Sequence, residues 1–322
     1  MADHKQYEVI VVGGGASGLT AGMFTARRGY KTLIISQDVG GQAATTPDIE
    51  NYPGMETVNG LDLMKKFKAQ AEKFGAAFSL DTVTAIQESA PGMYSVTAAT
   101  QTVLAPVVIL AFGLSHRHLN VPGEEKLSGH GLLYCSICEA HYYKGKDVVV
   151  VGGGSSAVQA ATTLSHLAKR VTLLNVNEHL TAEAITIQRM TEKENIKVIA
   201  QAETKEILGD DHVTGIRILH KDTQQQEDIP TDVVFVEIGY MAKAEWVKGF
   251  VDTDQRGQVK ISPNCETSKP GIFAAGDITT ITFKQVIISA GEGAKAALEA
   301  DQFLLAKTGK RGARIDWGAK KK

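Results

Sequence analysis

Two glycine clusters govern what this chain can fold into. The apolar run Tyr7 to Val12 enters Gly13-Gly14-Gly15-Ala16-Ser17-Gly18, which opens an alanine-rich helix to Arg28, with a strand at Lys31 to Ser36. The pattern returns when Asp147 to Val151 enters Gly152-Gly153-Gly154-Ser155-Ser156-Ala157, followed by a helix through Ala168 and the strand Arg170 to Leu174. A buried strand, a glycine turn and a helix in that order make a βαβ unit of the dinucleotide-binding kind. In the first cluster Gly13 permits the tight turn, Gly15 lets backbone approach a pyrophosphate, and Gly18 lets helix and strand pack closely. The domain-sized spacing between the clusters predicts two related nucleotide-binding folds in one chain.

The other elements fit that grammar. Val83 to Ser95 and Thr102 to Ala111 read as short strands closing the first unit, and Ile196 to Ala200, His212 to Leu219 and Asp232 to Ile238 do so for the second. Gly257 to Ser262 reads as a further strand leading into the apolar run that ends at Ala275-Gly276-Asp277, where a ligand-facing strand end belongs. A long helix is expected from Lys284 to about Leu305. The expected class is α/β, with two Rossmann-like, three-layer ββα domains, the second inserted into the first.

Composition closes off other classes. A formal net charge of -2 over 322 residues gathers no nucleic acid. No segment reaches membrane-spanning length, and the polar start runs straight into the first strand with no longer apolar stretch. Three cysteines, Cys135, Cys138 and Cys265, are too few for a disulfide-stapled secreted scaffold, so a reducing, cytoplasmic setting is expected.

Cys135-Ser136-Ile137-Cys138 has the spacing of a reversible dithiol, since the short loop lets the two sulfurs approach and one thiolate is readily stabilised. A zinc site with His130 or His141 is the competing chemistry, but no second pair exists, and no metal is expected. Cys265 has no basic neighbour in sequence and reads as structural. The carboxylate of Glu139 follows the pair and can transfer a proton if its pKa is raised; His141 is a second titratable candidate.

In order along the chain stand the first glycine cluster, Gly40-Gly41-Gln42, Glu50-Asn51-Tyr52-Pro53-Gly54, the Cys135/Cys138 pair, the second glycine cluster, and Gly276-Asp277 with Gln285. Together they resemble the low-molecular-weight thioredoxin reductase family over nearly the whole chain. The resemblance implies FAD as cofactor, with Gly13, Gly15, Ala16 and Gly18 at its pyrophosphate and Gly41, Gln42 and Asn51 near the flavin. It also implies Val83, Gly113, Lys284 and Val286 as further contacts, Asp277 at the ribitol and Gln285 at the isoalloxazine. The acid usual for an adenosine ribose is replaced by Ser36. Cys135 and Cys138 would be the redox pair, with Glu139 as the acid where the family usually has Asp. Implied domains are an FAD-binding domain of residues 1–117 and 247–322, and an NAD(P)-binding-like domain of residues 118–246 carrying the pair. A homodimer and a thioredoxin-like protein partner follow from the same resemblance.

The second cluster departs from the family. Arginines that would pair with a ribose 2′-phosphate are replaced by Asn175-Val176-Asn177 and Thr181, and Glu178 lies beyond the place of an NAD-binding acid. Its glycines read as packing rather than as a working cofactor site. Beyond Leu305 the tail carries Trp317, an aromatic able to fold back over a flavin that no nicotinamide occupies, among the basic residues Lys307, Lys310, Arg311, Arg314 and Lys320 to Lys322. This combination is most similar to members lacking nucleotide motifs, the deeply rooted and ferredoxin-dependent flavin thioredoxin reductases. The expected activity is reduction of a thioredoxin-like disulfide with electrons from a donor other than NADPH, such as ferredoxin. The alternatives are an NAD(P)H-dependent thioredoxin reductase with atypical contacts, a dithiol oxidase, and a non-catalytic flavin-binding sensor.

Overall fold

The chain's central strands are nearly all apolar because both of their faces are covered. In the computed structural model, which describes residues 5–46, 49–134 and 144–310, the chain divides into two units, Met1–Leu114 with Ala242–Lys322, and Ser115–Met241.

In the first unit a parallel sheet runs in the order Ile272–Ala274, Val107–Leu110, Val9–Val12, Thr32–Ser36, Ala77–Leu80. Alternation sorts its side chains by layer. Val9, Val11, Ile34, Ile109 and Phe273 join a core with residues of the helices Ala16–Arg27, Gly60–Lys73 and Val286–Lys307. Ile10, Val12, Leu33, Ile35, Val108 and Leu110 join Ile86, Tyr94, Val96 and Val103 of a second sheet. That sheet is ordered Lys5–Gln6, Thr102–Ala105, Met93–Ala98, Val83–Ala90.

The second unit repeats the plan. Leu132–Leu133, Val233–Val236, Asp147–Val151, Arg170–Leu174 and Ile196–Ile199 form its parallel sheet. Val148, Val150, Val171 and Phe235 pack with Ala157, Ala161 and Leu164 of the helix Ser155–Ser165, and with Met190 of the helix Ala184–Thr191. Val149, Val151, Val234 and Val236 pack with Ala202, Ile207, Ile216 and Ile218 of an antiparallel sheet. Each unit is therefore helix, parallel sheet and second sheet in three layers.

Several expected elements are drawn differently. Thr102 to Ala111 is two strands in different sheets, broken at Pro106, which has no N–H for a ladder. Val83 to Ser95 turns back at Pro91-Gly92, where Gly92 takes φ +69°. Gly257 to Ser262 is not a strand; only Val259 makes isolated bridges, to Thr253 and Thr279. Helix Gly60–Lys73, unread in the sequence, is capped by Asn59, whose side-chain oxygen accepts from the N–H groups of Leu61 and Asp62. Among the described residues no helix is long and apolar enough to cross a membrane.

Candidate functional site

The first glycine turn is built as a cradle. Gly13 has φ +114°, and a Cβ there would lie 2.2 Å from the Ala111 carbonyl oxygen; one on Gly18 would lie 1.9 Å from that of Gly13. Both contacts are with backbone, so neither position accepts a side chain. Gly15 differs: a Cβ would meet nothing nearer than the Gly40 carbonyl at 3.7 Å, which leaves its face open. Gly15 is also the N-cap of helix Ala16–Arg27, with no side-chain cap and no acid in the first turn. Ala16 itself is buried. No side chain competes for the first N–H groups of that helix, which suits an anion.

A second loop closes on the turn through the bond from Gly40 N–H to Gly14 O, 2.7 Å. Asp38, which no motif in the sequence marks, accepts from Gly41 N–H at 2.8 Å just beyond Ser36. Gln42 follows on the helix Gly41–Ala44. Its amide nitrogen reaches Leu114 O at 3.5 Å, while its Oε1 is buried without a hydrogen-bond partner among the described residues. Gly113 takes φ +65° with open space beyond it, and Val83 packs into the core of the two sheets.

On the chain's other arm, Asp277 Oδ1 accepts from Ser289 Oγ at 2.8 Å, and burial pushes the carboxyl above its ordinary value. Lys284 Nζ donates to the carbonyls of Asp277 (2.9 Å) and Thr279 (2.6 Å); burial lowers its pKa. Gln285 occupies the N-cap position of helix Val286–Lys307 without a side-chain cap bond, and its Oε1 accepts from Asn51 Nδ2 at 2.9 Å, so two residues 234 positions apart meet. Val286 packs on the helix-side core. Ser289 was not singled out from sequence; its only signal is its place one helical turn beyond Gln285.

These residues fit an FAD. An open glycine face at an uncapped helix, an unpartnered buried amide oxygen at Gln42 and a carboxylate aligned by Ser289 are what a pyrophosphate, a flavin edge and a polyol would engage.

In the second unit Gly152 takes φ +150°, and a Cβ on Gly153 would lie 2.2 Å from Asn175 Oδ1. Asn175 is 1% exposed; its Oδ1 accepts from Asn177 N–H, and its Nδ2 has no partner among the described residues. Thr181 donates from its backbone N–H (2.7 Å) and its hydroxyl (3.3 Å) to Gly153 O. Val176, Asn177 and Glu178 are exposed, and none is a cation. Gly154 remains open at the start of the uncapped helix Ser155–Ser165.

Cys265 is fully buried; its thiol donates to Glu292 Oε2 at 3.1 Å, and burial drives its pKa well above the ordinary thiol value, as befits an inert cysteine. Cys135, Cys138, Glu139, His141 and Trp317 lie outside the described residues. Among the described residues no group of three metal-ligating side chains occurs.

The family model described as pyridine nucleotide-disulphide oxidoreductase matches residues 7–300. A thioredoxin reductase of Mycolicibacterium smegmatis is 38% identical over 301 residues, covering 92% of this chain and 96% of that protein. A subunit of alkyl hydroperoxide reductase in Pseudomonas putida is 37% identical over 305 residues, covering 94% of this chain. This chain spans only 59% of that relative's length. Among solved structures, thioredoxin reductase from Lactococcus lactis superposes with a TM-score of 0.90 at 32% identity, over 93% of this chain and 99% of that one. A ferredoxin-flavin thioredoxin reductase from Clostridium acetobutylicum gives 0.52 at 28%, over 94% and 99%.

Proposed function

We propose, for a chain that belongs to the pyridine nucleotide-disulphide oxidoreductase family, that it reduces the disulfide of a thioredoxin-like protein through Cys135 and Cys138. Members of the thioredoxin reductase type are FAD-binding flavoproteins, and this chain is an oxidoreductase of that type. The observation that carries the reading is the open Gly15 face, with the unpartnered Gln42 oxygen, the Asn51–Gln285 pair and Asp277 in the same unit.

Bound FAD supplies two-electron redox chemistry. The chain's own residues do the rest. Backbone N–H groups of residues 15–18 would hold the FAD pyrophosphate and Asp277 would accept from the ribitol, while Lys284 ties the Asp277 and Thr279 carbonyls together. One thiolate of the pair attacks the substrate disulfide, releasing one substrate thiol; the second then displaces the mixed disulfide, so that the pair ends oxidised and the substrate as a dithiol. Glu139 holds the proton for the leaving thiolate. The domain assignment we adopt is 1–117 with 247–322 for FAD and 118–246, inserted, for the pair; the division of the chain after Leu114 and after Met241 supports it. Trp317 as a cover for the flavin, a homodimer and a cytoplasmic location belong to the same reading.

The donor follows from charge. Asn175 is buried against Gly153, Val176 is exposed and apolar, and the cation at this strand end, Lys221, has its Nζ 3.4 Å from the Val176 carbonyl and offers no paired arginine fork to a 2′-phosphate, so we infer a protein donor such as ferredoxin. The named likeness to a ferredoxin-flavin enzyme supports this. A second reading, NADH as donor, is favoured by the open Gly154 at an uncapped helix. Stopped-flow reduction of the flavin by NADPH, NADH and reduced ferredoxin in turn separates them. Millisecond reduction by micromolar NADPH overturns the charge argument; dithionite-reduced protein that reduces no thioredoxin disulfide overturns the activity.

A further inference from the structure

The parallel sheet of the second unit has two ends, and its glycine turn occupies one of them, since Gly152 follows Val151 where that strand finishes. At the opposite end three neighbouring strands begin, at Asp147, Arg170 and Ile196. A cavity of about 310 Å3 lies there, its polar lining made of Asp147, Lys169, Arg170, Glu194, Asn195 and Lys197. Two of these residues are fixed by backbone bonds. Asp147 N–H donates to Asp232 Oδ2 at 2.9 Å, and its carbonyl accepts from the Thr231 hydroxyl at 2.8 Å and from Asp232 N–H at 3.0 Å. Asn195 donates from Nδ2 to the carbonyls of Ser165 (2.9 Å) and Ala168 (3.2 Å), and its own carbonyl accepts from Val171 N–H at 2.9 Å. Both hydrogens of that amide are thereby engaged, which leaves its Oδ1 to meet a ligand.

The Asp147 carboxylate is used on one side only. Oδ2 faces Arg170 Nη2 at 3.3 Å and Lys169 Nζ at 3.8 Å. Oδ1 is buried and has no hydrogen-bond partner among the described residues, although the side chain as a whole is 25% exposed. An unpaired carboxylate oxygen cut off from solvent is costly, and neither neighbouring cation bonds it. Three acceptors thus line one cavity: Asp147 Oδ1, Asn195 Oδ1 and the exposed Glu194 carboxylate. An ammonium group carries three donors. Around them stand three exposed cations, Lys169, Arg170 and Lys197, against the two carboxylates, so the lining has one net positive charge.

We propose that this end of the sheet binds a small acidic zwitterion, with the chemistry of an acidic α-amino acid. The ammonium is received by Asp147 Oδ1, Asn195 Oδ1 and Glu194, and the carboxylates by Arg170, Lys169 and Lys197. Arg170 suits a carboxylate because its guanidinium presents a planar fork of donors, only one nitrogen of which faces Asp147. The cavity volume stands at the lower bound of small-molecule sites, which matches a ligand of amino-acid size. The site lies at the other end of the strands from the glycine turn, so the inference depends neither on the redox pair nor on the electron donor.

Calorimetric titration of the flavin-loaded full chain with L-glutamate tests this. Expected is a dissociation constant on the order of 1 mM, with glutarate, the same dicarboxylate without its ammonium, about tenfold weaker. Asp147→Asn removes the charge facing the ammonium and should weaken L-glutamate about tenfold. That variant also loses the pairing with Lys169 and Arg170, so its melting temperature is read beside the titration. Lys197→Ala alters only an exposed rim residue and should weaken L-glutamate about threefold, which keeps the test in force if Asp147→Asn does not fold. Glutarate or inorganic phosphate binding as tightly as L-glutamate reduces the site to a patch of cations and overturns the proposal. No L-glutamate binding at about ten times the expected constant, or an affinity unchanged in the folded variants, overturns it as well.

Discussion

Replacing Val176 and Asn177 together by arginine should create NADPH binding where the wild-type chain has little. Both positions are exposed, Val176 by 44%, so the new side chains displace no core. The bond from Asn177 to Asn175 Oδ1 uses a backbone N–H and survives the change. A hydrogen bond to a charged group contributes about 1.5 to 3 kcal/mol, and exposure at this strand end discounts each arginine to roughly 1 to 1.5 kcal/mol. Two of them give about 2 to 3 kcal/mol, which at tenfold per 1.4 kcal/mol is on the order of 30- to 100-fold in Kd. Calorimetric titration at low salt should show that tightening for NADPH and less than about threefold for NADH, because only NADPH carries the 2′-phosphate. Raising the salt should erode the gain as the charges are screened. Equal tightening for both nucleotides, or wild-type protein that already prefers NADPH by a hundredfold, refutes the charge-deficit argument.

Gly18→Ala should yield protein with no bound flavin, since its Cβ would lie 1.9 Å from the Gly13 carbonyl; a visible spectrum with about one FAD per chain would contradict the cradle. Asp277→Asn should raise the melting temperature of flavin-free protein at pH 8 and weaken FAD binding. Burial lifts this carboxyl's folded pKa, so its ionised form destabilises the fold above that pKa, and the benefit should vanish below the ordinary Asp value of 3.8. A benefit that persists at pH 3 contradicts that origin. Cys135→Ser or Cys138→Ser should abolish disulfide reduction with FAD retained, and Glu139→Gln should slow it; turnover equal to wild type removes the altered residue from the mechanism.

Local constraints made the glycine turns legible. Gly13 and Gly152 sit at φ +114° and +150°, conformations only glycine takes freely, and the flanking apolar runs state their own secondary structure. The pairing of Asn51 with Gln285 was anticipated only in so far as both were assigned to the flavin by resemblance. What escaped was long-range. Nothing in Thr102 to Ala111 says that Pro106 sends its two halves to different sheets, and nothing at Ser289 names Asp277 as its acceptor. Tyr134 and Glu124 likewise look like an apolar-run end and a surface helix start until the fold joins them. The helix Gly60–Lys73 did carry a signal, Asn59 before an amphipathic segment, that went unread.

Helix Val286–Lys307 lies so close to helix Ala16–Arg27 that a Cβ on Gly293 would stand 2.1 Å from Ser17 O, and Asp301 there accepts from Arg28 and Tyr30. Strand Ile272–Ala274 likewise completes a sheet begun at Val9. The unit Ser115–Met241 is continuous in sequence, whereas the first waits for its closing strand and helix. At ribosomal speeds of about 5 to 20 residues per second, that wait is on the order of 10 s. Until that strand and helix are made, Val11, Leu19 and Ile109 lack their final cover, so the sheet of the first unit is the part of this chain left open longest during synthesis.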